Sequence, residues 1–220
     1  MDDSFPVSER NRVRRRSQRG RYDKATVHAI LDEALICHVA FEIDGQPFAI
    51  PTVHAREGDV LYMHGSTANR MLEALAGGAP VCVTATIVDG LVLARSAFHH
   101  SMNYRSVVAF GQAALVEDPT EKNDAFRALV ERMMPGRWED CRQPTEDEMK
   151  ATHVLRLRIE EASAKVRSGD PVDDEEDHSL PCWAGVVPVN LHVGEPKPAD
   201  DLNEGIAPPR YLATNPLVDP

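Results

Sequence analysis

Apolar and polar positions along the chain change period several times, and each change marks an element. Asp23 stands where a helix cap would, and Val27, Ile30, Leu31 and Ala34 then recur on one helical face, which predicts a helix over 24–35. From residue 36 the period shortens to two. "ICHVAFEI" runs into the turn signal "DGQP", "FAIPTVHA" into "REGD", and "VLYMHG" follows, the rhythm of an antiparallel meander. Pro51 inside the second run cannot donate to a ladder and argues for a sheet edge or a bulge. Helical spacing returns in "STANRMLEALAGG", where Ser66 is placed to open the helix and Gly77-Gly78 to end it.

Two further strands, "PVCVTATIV" and "YRSVVAFGQAALVE", are separated by "DGLVLARSAFHHSMN", which reads as an ordered linker. "DPTEKNDAFRALVERMMPG" carries Phe126, Leu129, Val130 and Met133 on one face and stops at Pro135-Gly136, a second long helix. A short acidic helix fits 145–150. The strand "HVLRLRIEEASAKV" then alternates, with Val154, Leu157 or Leu155, and Ile159 inward against Arg156, Arg158 and Glu160 outward. Beyond residue 190 apolar periodicity fades among Pro196, Pro198, Pro208, Pro209, Pro216 and Pro220. About six strands and a few helices predict a mainly β fold, an antiparallel barrel with peripheral helices. A doubly wound sheet does not fit this order.

The 220 residues suit one domain with appendages, and 42% hydrophobic content supplies a real core. Charge is unevenly spread. Residues 1–21 carry seven Arg against three acids, and 168–220 carry eleven acids against two bases, within a net charge of −11. Residues 1–20 therefore read as a flexible basic arm, 21–190 as the folded domain and 191–220 as a Pro-rich acidic tail. The arm has no interleaved aromatics, so an acidic partner subunit suits it better than nucleic acid. Cys37, Cys82, Cys141 and Cys182 form no C-x-x-C pair and read as reduced thiols, which with no spanning apolar run predicts a cytoplasmic protein.

Two stretches could carry chemistry. In "YMHGSTANRM" a strand meets a Gly and a helix start, gathering Ser66, Asn69 and Arg70 where an anion could sit; an ordinary Ser cap with a solvent-facing Arg accounts for the same residues. In "HHSMNYRSVVAFGQA", Ser101, Asn103, Tyr104, Arg105 and Ser106 crowd one strand entrance with donors, and a long loop satisfying its own backbone is the competing account. His99 and His100 are adjacent, point apart and have no partner at ligand spacing, so no metal is expected. No Gly-rich nucleotide loop, nucleophile elbow or H-E-x-x-H is present.

The order of "RYDKATVHAILDEA", "FAIPTVHAREGDVLYMHGSTANRMLEAL", "VCVTATIVDGLVLARSAFHHSMNYRSVVAFGQA" and "DEEDHSLPCWAGVVPV" resembles the FMN-binding split-barrel family of pyridoxamine 5'-phosphate oxidase, in its flavin-nucleotide-binding branch. The resemblance covers roughly residues 21–189. It implies a six-stranded antiparallel split β-barrel, homodimeric, with FMN in a cleft between subunits. The flavin ring would then lie along Pro51, Thr52 and Val53, with Met63 and His64 on the adjoining strand. Ser66, Asn69 and Arg70 would meet the phosphate, Tyr104, Arg105 and Ser106 would reach FMN from the partner subunit, and Trp183 would close the site. Where relatives often place two bases in the phosphate turn, this chain has Arg70 alone, and Arg21 or Arg105 could supply the second. The activity implied is that of an FMN-dependent oxidoreductase with an unidentified small substrate. A non-catalytic module that stores, senses or passes flavin is the alternative, and a haem or deazaflavin binder on the same barrel is a third.

Overall fold

The computed structural model describes residues 3–212; Pro216 and Pro220 of the expected tail lie outside the described residues. The elements follow in the order β1 (Gly20–Arg21), α1 (Lys24–Glu33), β2 (Cys37–Ile43), β3 (Gln46–Thr52), β4 (Ala55–Glu57), β5 (Val60–Ser66) and α2 (Arg70–Ala76). Next come β6 (Val81–Leu93), β7 (Ser101–Leu115), α3 (Pro119–Met133), α4 (Glu146–Ala151), β8 (Thr152–Arg167) and β9 (Gly185–Pro188). The main path through the sheet is β3-β2-β6-β7-β8-β5-β4, with β1 paired to β8 and β9 to β6, every pairing antiparallel. The six expected strands are the six long ones, and β1, β4 and β9 are short additions. This is the mainly β split-barrel architecture with a few peripheral helices.

Local chemistry sets most boundaries. The Asp23 carboxylate accepts from the Thr26 amide at 2.8 Å, so α1 is capped where the sequence placed a cap, and the Asp118 carboxylate caps α3 by accepting from the Glu121 amide at 2.8 Å. Asp44 and Gly45 both have positive φ, 51° and 79°, the conformation that a two-residue hairpin between β2 and β3 demands. Pro51 lies on β3, at the end of the strand path, where its missing N–H leaves no ladder bond unmade. The stretch expected as a linker is mostly strand: β6 continues through Gly90 to Leu93, with a register shift between Val88 and Gly90, and β7 already begins at Ser101. A second irregularity falls at Phe110/Gly111, where a Cβ on Gly111 would stand 1.8 Å from the Arg158 carbonyl oxygen. Only glycine allows β7 and β8 to approach that closely.

Leu61, Met63, Val83, Ala109, Leu155 and Leu157 turn one face of the strands into the core, and Val27, Ile30 and Leu31 of α1 with Met71, Leu72 and Leu75 of α2 pack into it. A smaller cluster of Tyr62, Val116, Ala125 and Val154 lies under α3 on the other face of β5. Two expectations need correction. The basic arm is not a free segment: Phe5 is buried in the core, its amide donates to the Tyr22 carbonyl at 2.9 Å, and the Asn11 amide donates to the Ala162 carbonyl at 3.2 Å. Ser8 and Arg10 both bond Glu161, and the Arg10 guanidinium lies 4.7 Å from the Phe110 ring centre. One apolar anchor and a few buried hydrogen bonds hold a segment that its charge alone would send into solvent. In the tail, the Tyr211 hydroxyl donates to Asp140 at 2.6 Å, so part of it also rests on the domain.

Phe5→Ala should lower stability by about 3 kcal/mol, the cost of emptying an aromatic core position. Urea titration should show a lower midpoint with little change in slope. A midpoint equal to that of the parent would mean that the arm is undocked in solution.

Candidate functional site

The last turn of α1 exposes carbonyls that no helical amide can reach, and basic side chains from distant elements supply donors. His54, between β3 and β4, gives its Nε2–H to the Leu31 carbonyl at 2.8 Å. Arg132 of α3 donates to the Ala34 carbonyl at 3.0 Å. Arg56 of β4 forks onto the Asp32 carboxylate at 2.8 and 2.5 Å, and Arg105 of β7 bonds the Glu33 carboxylate. Cations at a helix C-terminus also complement its dipole. Burial drives the His54 pKa below its ordinary value, the strongest influence on that ring, so the imidazole is neutral at pH 7.

That pinned turn forms one wall of a groove of about 530 Å³. Leu35, Ile36, Val88, Val189 and Leu191 give it an apolar lining, and Glu33, Asp89 and Arg105 stand together at its polar side. Arg105 bonds Asp89 at 2.7 and 3.0 Å as well as Glu33. Hydrogen bonds to Glu33 first, then to Asp89, raise the arginine's pKa further above its ordinary value. Two carboxylates against one guanidinium leave this edge without surplus positive charge. It suits the flat, uncharged part of a ligand better than an anionic end.

The turn after β5 differs from expectation in a way that matters for anion binding. Ser66 is the last residue of β5, and α2 is capped by Asn69, whose Oδ1 accepts from the Met71 amide at 2.9 Å and the Leu72 amide at 3.3 Å. The first-turn amides expected to meet a phosphate are thus already taken. Arg70 is exposed, its guanidinium carbon 4.2 Å from the Phe48 ring centre, and Phe48 stacks in turn on Phe41. What this turn offers an anion is one guanidinium held on an aromatic platform.

Other expected site residues are divided by strand alternation. Met63 is fully buried and packs in the core, so it backs the site from within rather than facing a ring. His64 turns to the opposite face, edge-on to Phe126 at 5.7 Å. Pro51 is exposed and faces His38 across the ladder; Thr52 and Val53 are half-buried beyond it. Tyr104 and Ser106 share one face of β7 and stand opposite Arg167 and Lys165, while Arg105 takes the other. Trp183 is 66% exposed and packs its indole on the Gly185 backbone. Glu33, His54, Asp89, Arg132 and Arg167 were missed by sequence reading. "TVHAREGD" shows a histidine at a strand end, but nothing local says that it caps a helix 23 residues earlier. Among the described residues no group of three or more His, Cys, Asp or Glu is arranged to hold a metal ion, and no helix is long and apolar enough to cross a membrane.

A mainly β split barrel built from one antiparallel sheet is the fold of a class of flavin-binding proteins. The chain belongs to the pyridoxamine 5'-phosphate oxidase family, whose model matches residues 23–166. The kinship read from sequence is borne out at that level. Among solved structures it is similar to the flavocytochrome Anf3 from Azotobacter vinelandii, with 42% identity, a TM-score of 0.89 and 94% and 96% of the two chains covered. It is also similar to the FAD and heme binding protein from Mycobacterium smegmatis, with 37% identity, a TM-score of 0.85 and 89% and 96% covered. No curated protein matches it.

His54 and His64 are both held below the ordinary histidine pKa of 6.5 by burial. The unfolded chain therefore binds protons that the folded chain refuses. Stability should be complete above about pH 6.5 and fall as the pH drops through the depressed folded values. Urea midpoints at about pH 7.5 and about pH 5.5 should differ, and His54→Gln, which keeps a donor for Leu31, should narrow the difference. An equal pH dependence in parent and variant would rule His54 out as a source.

Proposed function

We propose that this chain is a homodimeric redox protein that binds a flavin nucleotide and a haem. The observation that carries the reading is the near full-length similarity to two solved structures, one named a flavocytochrome and the other an FAD and heme binding protein. Family membership supports the flavin, and the apolar groove beside Arg105 suits an isoalloxazine ring. We favour FAD over the FMN expected from sequence, because the M. smegmatis protein is named for FAD and the turn at Arg70 offers a single base. The half-buried outer face of β6 and β7, with Thr84, Val108 and Phe110, is the surface we assign to the second copy. Free thiols support a reducing, cytoplasmic setting.

Haem iron needs an imidazole with a free ring nitrogen, and His64 and His153 each keep a buried Nδ1 without a partner. His28, His54, His99 and His100 each have a ring nitrogen bonded to an oxygen. Of the first two, His64 also has an aromatic neighbour in Phe126 and a pKa that burial holds down. We assign His64 to the iron. A flavin would supply two-electron chemistry and a haem one-electron chemistry. The chain's part is to seat the flavin ring against the α1 wall and to keep His64 unprotonated. A flavin carrier without turnover is the second reading, favoured because, among the described residues, the titratable groups lining the groove are the mutually paired Glu33, Asp89 and Arg105.

The purified full chain should show flavin absorption and a Soret band. His64→Ala should lose the Soret band while keeping its flavin. A spectrum without flavin bands after incubation with FAD and with FMN removes the reading. Arg70→Ala should weaken FMN about ten- to a hundredfold, the worth of one charge-assisted phosphate bond, and leave riboflavin binding unchanged by fluorescence titration. Rapid reduction by NADH or NADPH followed by reoxidation in air would favour the enzyme over the carrier.

A further inference from the structure

The basic arm is a folded loop, and the groups that fold it are mostly not its arginines. The Ser8 amide donates to the Asn11 side chain at 2.8 Å, that side chain reaches the Ala162 carbonyl, and the Val13 amide donates to the Tyr22 hydroxyl at 2.9 Å. Gly20 packs on Val13, where a Cβ would stand 3.1 Å from the valine side chain, and β1 pairs Gly20 with Lys165 and Arg21 with Ala164. Between these ties the chain turns at Arg16, whose φ of 58° and ψ of 52° put it in the left-handed region. The arginines are left outside: Arg12, Arg14, Arg15 and Arg16 are exposed and Arg19 is half-buried.

Ion pairing separates this loop from the rest of the surface. Arg56, Arg95, Arg105, Arg142 and Arg156 each meet a carboxylate of the fold. Arg12 and Arg14 instead share one acid, Glu9, and Arg15, Arg16 and Arg19 have no carboxylate within ion-pair distance among the described residues. Seven Arg against three acids give residues 1–21 a charge of +4 in a chain of −11, which leaves −15 on the remainder. A long polyanion such as a nucleic acid would run from the loop onto acidic surface, whereas a compact patch of carboxylates meets the loop alone. The loop also stands beside the groove. Gly20 pairs with Lys165, Lys165 with Ser106, and Arg105 next to Ser106 lines the groove, so β1 lies two inter-strand spacings, about 10 Å, from the strand that carries Arg105.

From this geometry we infer that the loop is the docking site of an acidic electron-carrier protein, whose clustered carboxylates pair with Arg15, Arg16 and Arg19. Guanidinium forks match carboxylates, and the folded backbone holds them in place before the partner arrives, so little chain entropy is lost on docking. One electron then leaves the reduced carrier, which is oxidised, for the flavin in the adjoining groove, which is reduced. The electron-transfer half rests on the redox reading above; the acidic-protein half does not.

The test uses the full-length protein with its cofactors and two acidic probes, a plant-type ferredoxin and a flavodoxin. By titration calorimetry at least one probe should bind at low ionic strength, weaken steadily with added salt, and bind about tenfold or more weakly to the double variant Arg15→Glu, Arg16→Glu. Both side chains are exposed and make no hydrogen bond among the described residues, so the variant should keep the parent's urea midpoint. Stopped-flow reduction by the reduced probe should slow by a similar factor. Lys150→Glu on α4, at the opposite end of β8, reverses a charge away from the loop and should change neither reading. Binding unchanged in the double variant, or lost equally in Lys150→Glu, overturns the inference. So does a failure of both probes to bind, and so does tighter binding of duplex DNA or of phosphatidylglycerol vesicles at the same salt. Loop-dependent binding of a probe by a protein that takes up no cofactor would support the docking site and overturn the redox reading.

Discussion

The terminal turn of α1 must be satisfied from outside, and much of the site depends on how that is done. A helix of ten residues ends beside the barrel with carbonyls that its own amides cannot reach. His54, Arg132, Arg56 and Arg105 come to it from a loop, a helix and two strands, and each brings its own segment into place. Ala34, Leu35 and Ile36 follow directly and become the groove wall. The barrel core and the groove are therefore coupled: the side chains that satisfy α1 also fix the distance between α1 and the β6–β7 ladder.

Strand alternation accounts for how one polar strand entrance serves two surfaces. Arg105 goes to the groove and is neutralised there by Glu33 and Asp89, while Tyr104 and Ser106 face Arg167 and Lys165, where no acid balances the charge. The barrel end is thus electrically divided. Its groove side is neutralised by carboxylates, and its other side keeps positive charge without an acidic partner among the described residues.

The arm shows how composition can mislead about order. Seven Arg in the first 21 residues suggest a solvated segment, but one buried aromatic, the Asn11 bond to the Ala162 carbonyl and the Ser8 and Arg10 bonds to Glu161 hold it to the barrel. The cost of ordering a chain segment is met by few contacts when they are buried. Phe5 was a single apolar residue among polar ones, a pattern without period, so no local rule marks it as core.

Much that repeats within a few residues was legible in the chain: the period-two runs, the cap at Asp23, the Asp44-Gly45 hairpin and the demotion of Pro51 to an edge. These are set by backbone sterics and by side chains bonding amides two or three residues away, so they travel with the sequence. The ladder fixed what was left open. It turned Met63 into the core and His64 outward, let Asn69 rather than Ser66 cap α2, and gave Arg105 carboxylates 72 and 16 residues distant. It also left Arg167 buried beside Asn103, 64 residues away, with no acid. Whether a charge is paired, and on which face it lies, depends on which distant segments pack around it, and a one-residue change of register would reverse both.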